Sequence, residues 1–262
     1  MLPRLLLLLV LLPAAGLTQV TDYGSVKLLR GWQMADGSYQ AALEFDLNPG
    51  WKTYWRNPGP AGLPPIFNWD GSDNIGEVSF TWPVPDVTKQ GGMTTLGYSD
   101  YFVLPIRITP AEAGPVRIAL SLQFGVCSDI CIPAQAVFLS RLNEASDEGV
   151  AQIEAALQQV PQTAEAAGLA RISCAVKPNG KWYEITTELT FAEAIEAPYV
   201  VIEYGLREVW IDLAETSSEG GDIRASAPMK YYGEGVMEMD RTELIISVFG
   251  VDRAVEIQGC PS

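Results

Sequence analysis

The sequence predicts an all-β protein of two β-sandwich domains joined by a short helical linker. Three observations predict it. Short β-branched and aromatic runs alternate with polar residues and are broken by Gly, Pro, Asn and Asp from Ser25 to Leu142. A second such series runs from Arg171 to the C-terminus, and between them lies one stretch, Glu144–Gly168, that loses aromatics and gains Ala, Glu and Gln.

Residues 1–16 read as a secretory signal peptide: a basic start at Arg4, the apolar run Leu5–Leu12, and a small-residue exit at Pro13-Ala14-Ala15-Gly16. The apolar run is shorter than the roughly 20 residues a bilayer-spanning helix needs, so no membrane span is expected in the mature chain. An exported, periplasmic protein in which disulfides can form is the consequence.

In the first domain, residues 17–142, the expected strands are Ser25–Trp32, Tyr39–Leu47, Trp51–Trp55, Ile66–Asp70, Glu77–Trp82, Phe102–Thr109, Val116–Val126 and Ala134–Leu142. Prolines 58, 60, 64 and 65 make Asn57–Pro65 a loop or an edge. In the linker, residues 143–169, Val150, Ile153, Ala156, Leu157 and Val160 fall on one helical stripe, and Pro161 ends it. The second domain, residues 170–262, offers Ile172–Val176, Trp182–Leu189, Tyr199–Tyr204, Val209–Leu213, Ile223–Ala227, Met237–Phe249 and Ala254–Gln258, a small antiparallel sandwich.

Composition removes several functions. The chain has no histidine, which excludes Ser-His-Asp hydrolysis, Cys-His proteolysis and histidine-ligated zinc or haem. A formal charge of −15 argues against a nucleic-acid partner, whose affinity comes largely from Lys and Arg. Most of the excess acid lies in residues 143–262, which carry 21 acids and 8 bases, and is read as a solvated surface. No P-loop, dinucleotide fingerprint or calcium loop is present, and no cofactor is expected. The aromatic set Trp51, Tyr54, Trp55, Trp69 and Trp82 is assigned to core or edge packing before a sugar platform, and Glu184/Glu188 to ordinary strand alternation before a glycosidase dyad.

Four cysteines allow three connectivities. One pair per domain is the simplest partition. A Cys174–Cys260 link would close 87 residues and constrain the unfolded chain by roughly 4.6 kcal/mol, so it is expected to be a structural disulfide. A Cys127–Cys131 link closes five residues and is worth only roughly 2 kcal/mol in the same scheme. The alternation of Val116, Ile118, Leu120, Leu122, Phe124 and Val126 puts Cys127 on the opposite face from the core, with turn chemistry at Ser128-Asp129. A short-loop, surface-facing pair is a redox candidate. No zinc or other metal site is expected from two thiolates without histidine, although a Cu(I)-handling protein with Met93 as a thioether is one alternative. A non-enzymatic envelope binding module with two structural disulfides is the other.

The segment Phe124-Gly125-Val126-Cys127-Ser128-Asp129-Ile130-Cys131-Ile132-Pro133 resembles the N-terminal periplasmic domain of the DsbD thiol:disulfide interchange proteins, including the copper-sensitivity suppressor branch. Gly50–Gly59, Val84-Pro85-Asp86, Gly97-Tyr98 and Leu104-Pro105-Ile106 carry the same resemblance, which covers about residues 20–142. It implies an immunoglobulin-like sandwich and a thiol:disulfide oxidoreductase that relays electrons from a membrane thiol reductase to periplasmic thioredoxin-like or disulfide isomerase proteins. By that resemblance Cys127 and Cys131 are the catalytic pair, Cys131 forming the mixed disulfide and Cys127 resolving it. Met93, Leu96 and Tyr98, in a glycine-hinged loop Lys89–Tyr98, together with Tyr54 and Trp55, would cap the sulfurs or bind partners, and copper tolerance is an associated expectation. The family's usual chain continues into membrane and thioredoxin-like domains; this one stops at Ser262, so the reductase is expected to be a separate protein.

Overall fold

A computed structural model describes residues 19–260, apart from 91, 144, 145, 147, 180, 207, 236 and 238. The expected signal peptide lies outside the described residues. The chain forms β1 (Gln19–Thr21), β2 (Gly24–Gln33), β3 (Tyr39–Leu47), β4 (Lys52–Tyr54), β5 (Ile66–Asn68), β6 (Ile75–Phe80), β7 (Asp86–Gln90), β8 (Met93–Ser99), β9 (Tyr101–Pro110), β10 (Val116–Cys127) and β11 (Cys131–Leu142). After helix α1 (Val150–Leu157) come β12 (Gln162–Thr163), β13 (Leu169–Asn179), β14 (Trp182–Phe191), β15 (Tyr199–Tyr204), β16 (Val209–Ile211), β17 (Glu215–Glu219), β18 (Asp222–Tyr231), β19 (Leu244–Phe249) and β20 (Ala254–Gln258). The fold is all-β and immunoglobulin-like.

Two sheets make the N-terminal sandwich, in the orders β1-β2-β3-β9-β6 and β11-β10-β4-β8-β7, with β5 also on β10. Their period-2 faces meet in a core where Leu43, Leu104, Ile106, Ile118, Leu120, Leu122 and Phe138 are at most 1% exposed. Each such side chain contributes roughly 1.5–3 kcal/mol by leaving water. Phe45 stacks on Phe102 at 4.5 Å and meets the edge of Phe124 at 5.5 Å, Trp55 lies in the same core, and Trp51, Trp69 and Trp82 pack against it partly buried.

Helix α1 is shorter than the expected stripe and does not hang free between the sandwiches. Ile153 and Ala156 pack on Leu29, Ala42 and Val103, covering the outer face of the first sheet. Its start is tied down from β2: Gly31 N–H donates to Glu148 O, while Lys27 and Arg30 pair with the Glu148 carboxylate at 3.0 and 3.1 Å. Gly31 sits at the register shift of the β2–β3 ladder, and a Cβ there would lie 1.9 Å from Gln40 O.

The C-terminal sheets have the orders β12-β20-β19-β15 and β13-β14-β18-β16, with β17 on β18. The first is buried on both faces, which explains why Tyr199–Tyr204 and Leu244–Phe249 read as nearly continuous apolar runs. Val200, Ile202, Ile246, Val248, Val255 and Ile257 enter the core between the two C-terminal sheets. Their alternation partners Tyr199, Val201, Phe249 and Ala254 pack instead into the apolar cluster of the N-terminal sandwich. The Cys174–Cys260 disulfide, Cα–Cα 6.1 Å and buried, joins β13 to the chain beyond β20 and so ties the two C-terminal sheets together.

Candidate functional site

The β10–β11 hairpin pairs without a slip from Val116↔Leu142 to Cys127↔Cys131. That register makes the two cysteines the last cross-strand pair before the turn Ser128-Asp129-Ile130, with Cα atoms 4.1 Å apart and the sulfurs bonded. In a bare hairpin both would face solvent. Cys131 does, but Cys127 is only 2% exposed. The expected surface position of Cys127 is thus corrected: β4 pairs alongside β10 at Val126↔Thr53 and Cys127↔Lys52, and the Tyr54 side chain lies against the sulfurs. Alternation identified the face of Cys127 but not what covers it.

Tyr54 Oη is 2.7 Å from Cys127 Sγ and 3.1 Å from Cys131 Sγ. Disulfide sulfurs carry no proton, so the phenol donates. Burial pushes the Tyr54 phenol above its ordinary value, which keeps the proton on oxygen at neutral pH. Two local features bring the ring there. A Cβ at Gly125 would lie 2.9 Å from the Tyr54 ring and 2.6 Å from Leu63 Cβ, so only glycine leaves room for both. Thr53 Oγ1 donates to Gly125 O at 2.8 Å and pins β4 to β10.

The expected glycine-hinged cap loop Lys89–Tyr98 takes a different form. β7 and β8 pair from Asp86↔Gly97 to Gln90↔Met93, a hairpin that extends the disulfide-bearing sheet, because Thr88, Thr94 and Thr95 are good strand residues with cross-strand partners. Leu96 is fully buried in the core and Tyr98, also buried, donates its phenol proton to Pro83 O at 2.7 Å. Met93 is exposed at the hairpin tip. Gly97 permits the β4–β8 contact, since a Cβ there would meet Thr53 O at 2.1 Å. Of Met93, Leu96, Tyr98, Tyr54 and Trp55, Tyr54 is the one with a polar contact to the sulfurs; Trp55 is buried and meets Phe249 of the C-terminal sandwich edge-on at 5.2 Å.

Two features escaped the sequence reading. A mainly apolar groove of about 480 Å³, lined by Leu63, Pro64, Ile66, Phe124, Pro133 and Ala134 with Gln123 and Gln135 beside them, lies along the hairpin. Next to Trp55, Arg56 reaches across to Glu203 and Glu256. The parity of these acids with Val201 and Ala254, in strands apolar on both faces, is the signal that could have exposed the pairing. Among the described residues no cluster of three or more Cys, Asp or Glu side chains is gathered as a metal site, and no helix is long and apolar enough to cross a membrane.

No match was found among curated proteins. The fold is similar to that of the N-terminal periplasmic domain of ScsB from Proteus mirabilis, with a TM-score of 0.70 and 21% identity over 93% of this chain and 96% of that one. That similarity spans both sandwiches, beyond the sequence resemblance. Residues 25–143 match the family described as "Thiol:disulfide interchange protein DsbD, N-terminal". With its cysteine hairpin, aromatic β4 and immunoglobulin-like sheets, this stretch is similar to the DsbD N-terminal family over residues 25–143.

Proposed function

We propose that the protein is a periplasmic thiol-disulfide exchange protein that relays electrons between a membrane thiol reductase and periplasmic thioredoxin-like proteins through Cys127 and Cys131. In this reading residues 17–142 are the redox domain and residues 170–262 a second domain attached through the helical segment. The observation that carries it is the asymmetry of the pair: Cys131 is an exposed residue, whereas Cys127 is buried and its sulfur is the closer of the two to the phenol that contacts both. An incoming thiolate would attack Cys131 Sγ, the Cys127–Cys131 bond would break, and Cys127 would leave as a thiolate that accepts the Tyr54 hydrogen bond. A second thiolate of the donor then resolves the mixed disulfide, leaving the donor oxidised and both cysteines reduced. Toward a client the sequence reverses: Cys131 attacks the client disulfide, and Cys127 attacks Cys131 Sγ to release the client thiol.

The groove beside the hairpin supports the docking of a partner's apolar rim around its cysteine. Equilibrating the mature protein in thiol buffers and mapping free thiols tests the reading. Cys127–Cys131 is expected to titrate reversibly while Cys174–Cys260 stays oxidised. A Cys127–Cys131 potential below about −300 mV, the range of structural disulfides, would leave a binding module as the better description.

A further inference from the structure

Arg56 is the second residue after Tyr54, and its side chain is only 21% exposed. Its Nε lies 3.2 and 3.1 Å from the two Glu203 carboxylate oxygens, and Nη2 lies 2.8 Å from Glu203 Oε2 and 2.5 Å from Glu256 Oε2. The guanidinium also lies over the Trp55 ring, 4.3 Å from its centroid. Both acids stand on the sheet face that the N-terminal sandwich covers. Two half-buried carboxylates on one apolar face need a counter-ion, and a forked guanidinium satisfies both at once. Arg56 is therefore fixed by the C-terminal sandwich, and the strand immediately before it carries the phenol that touches the disulfide. The Trp55 backbone N–H donates to Leu96 O at 3.1 Å, so this stretch is also held by β8.

We propose that Arg56, gripped by Glu203 and Glu256, is a positioning residue for the Cys127–Cys131 disulfide. The C-terminal sandwich holds the end of β4 through it, and β4 holds Tyr54 Oη on the sulfurs. The second sandwich is then part of the redox apparatus. Reduction adds two electrons and two protons to the pair; wherever one cysteine is a thiolate, the phenol stabilises it, and a β4 end freed from its clamp stabilises it less. The inference deepens the exchange reading and rests on it for its biological meaning, but its readout is a property of the disulfide itself.

The test uses the mature full chain in graded dithiothreitol buffers, in which one dithiol is oxidised to its cyclic disulfide for each protein disulfide reduced. The exchange constants of both disulfides are measured for the wild type, Tyr54→Phe, Arg56→Met, Glu203→Gln and the Tyr54→Phe/Arg56→Met double variant. Tyr54→Phe and Arg56→Met are each expected to shift Cys127–Cys131 toward the disulfide by at least about threefold, a fraction of what a hydrogen bond to a charged group is worth. Cys174–Cys260, in the same molecule, is expected not to move. The double variant should add nothing beyond Tyr54→Phe, because the clamp acts through the phenol. Arg56→Lys should recover part of the shift.

Three results overturn the proposal: Arg56→Met within twofold of wild type while Tyr54→Phe shifts, both disulfides moving together, or full additivity in the double variant. Should Arg56→Met fail to fold, the near-isosteric Glu203→Gln is judged by the same criteria. A wild-type Cys127–Cys131 pair as resistant to reduction as Cys174–Cys260 overturns the exchange reading instead, while the ratio between variants and wild type still decides the clamp.

Discussion

At the scale of single residues, the site depends on one missing methyl group. Gly125 faces Tyr54 and Leu63 at distances that no Cβ tolerates, so Gly125→Ala must push the phenol away from the sulfurs or displace the Leu63 backbone. Its φ is not positive, so alanine brings no backbone strain and the effect is steric. Gly125→Ala is expected to fold, and to make the Cys127–Cys131 pair harder to reduce in the same direction as Tyr54→Phe. For the phenol itself, a hydrogen bond to a thiolate is worth about 1.5–3 kcal/mol. Tyr54→Phe should accordingly lower the reduction potential by roughly 30–60 mV, since about 30 mV corresponds to 1.4 kcal/mol for a two-electron couple. An unchanged potential in both variants would remove the phenol from the mechanism.

At the scale of elements, helix α1 makes the clearest claim. Ile153 is fully buried against Leu29, Ala42 and Val103, and truncation to Ala should cost about 2–5 kcal/mol in unfolding by denaturant. Its N-terminal tether has a pH signature. Burial raises Glu148, but hydrogen bonds and charge from Lys27 and Arg30 outweigh it and leave the carboxyl below its ordinary 4.5. A depressed folded-state value means stability present above 4.5 and lost as pH falls through the folded-state value. Glu148→Gln should therefore lower the melting temperature at pH 7, with the gap to wild type closing as the medium is acidified below pH 4.5. A gap that does not narrow at all on acidification below pH 4.5 would assign the loss to packing.

Legibility in the sequence followed the same scale. Tyr39–Leu47, Tyr199–Tyr204 and Ala254–Gln258 were readable to the residue because their side chains alternate or run apolar between turns. β7, β8 and β17 were not. Gly91-Gly92 with its flanking Lys, Gln and Thr reads as a loop, and Glu-Thr-Ser-Ser-Glu has little apolar content because β17 lies on the outside of its sheet. The cysteine pair was visible from spacing, turn chemistry and family resemblance. Tyr54 was named for its neighbourhood, but its bond to the sulfurs, like the grip on Arg56, is a long-range contact across strands that no local pattern encodes.

At the scale of the whole molecule, the question is whether two sandwiches are two folding units. Val201, Phe249 and Ala254 belong to the same apolar cluster as Trp55, Leu96 and the N-terminal core. Melting either sandwich alone would return Trp55, Phe249 and Val201 to water and break the Arg56 ion pairs. At roughly 1.5–3 kcal/mol for each large side chain, that penalty is of the same order as the 5–15 kcal/mol net stability of an ordinary domain. A single cooperative calorimetric transition is therefore expected, with equal calorimetric and van't Hoff enthalpies. Replacing Cys174 and Cys260 by Ala should lower that one transition, by a destabilisation of about 2–5 kcal/mol, and not release a second one. Arg56→Met should do the opposite. By leaving Glu203 and Glu256 without their counter-ion inside the interface, it weakens the coupling between sandwiches more than either core, and the transition should broaden or split. Two well-separated transitions in the wild-type protein would show that the shared cluster is too weak to couple the cores, and would take with it the physical basis for a C-terminal sandwich acting on the disulfide.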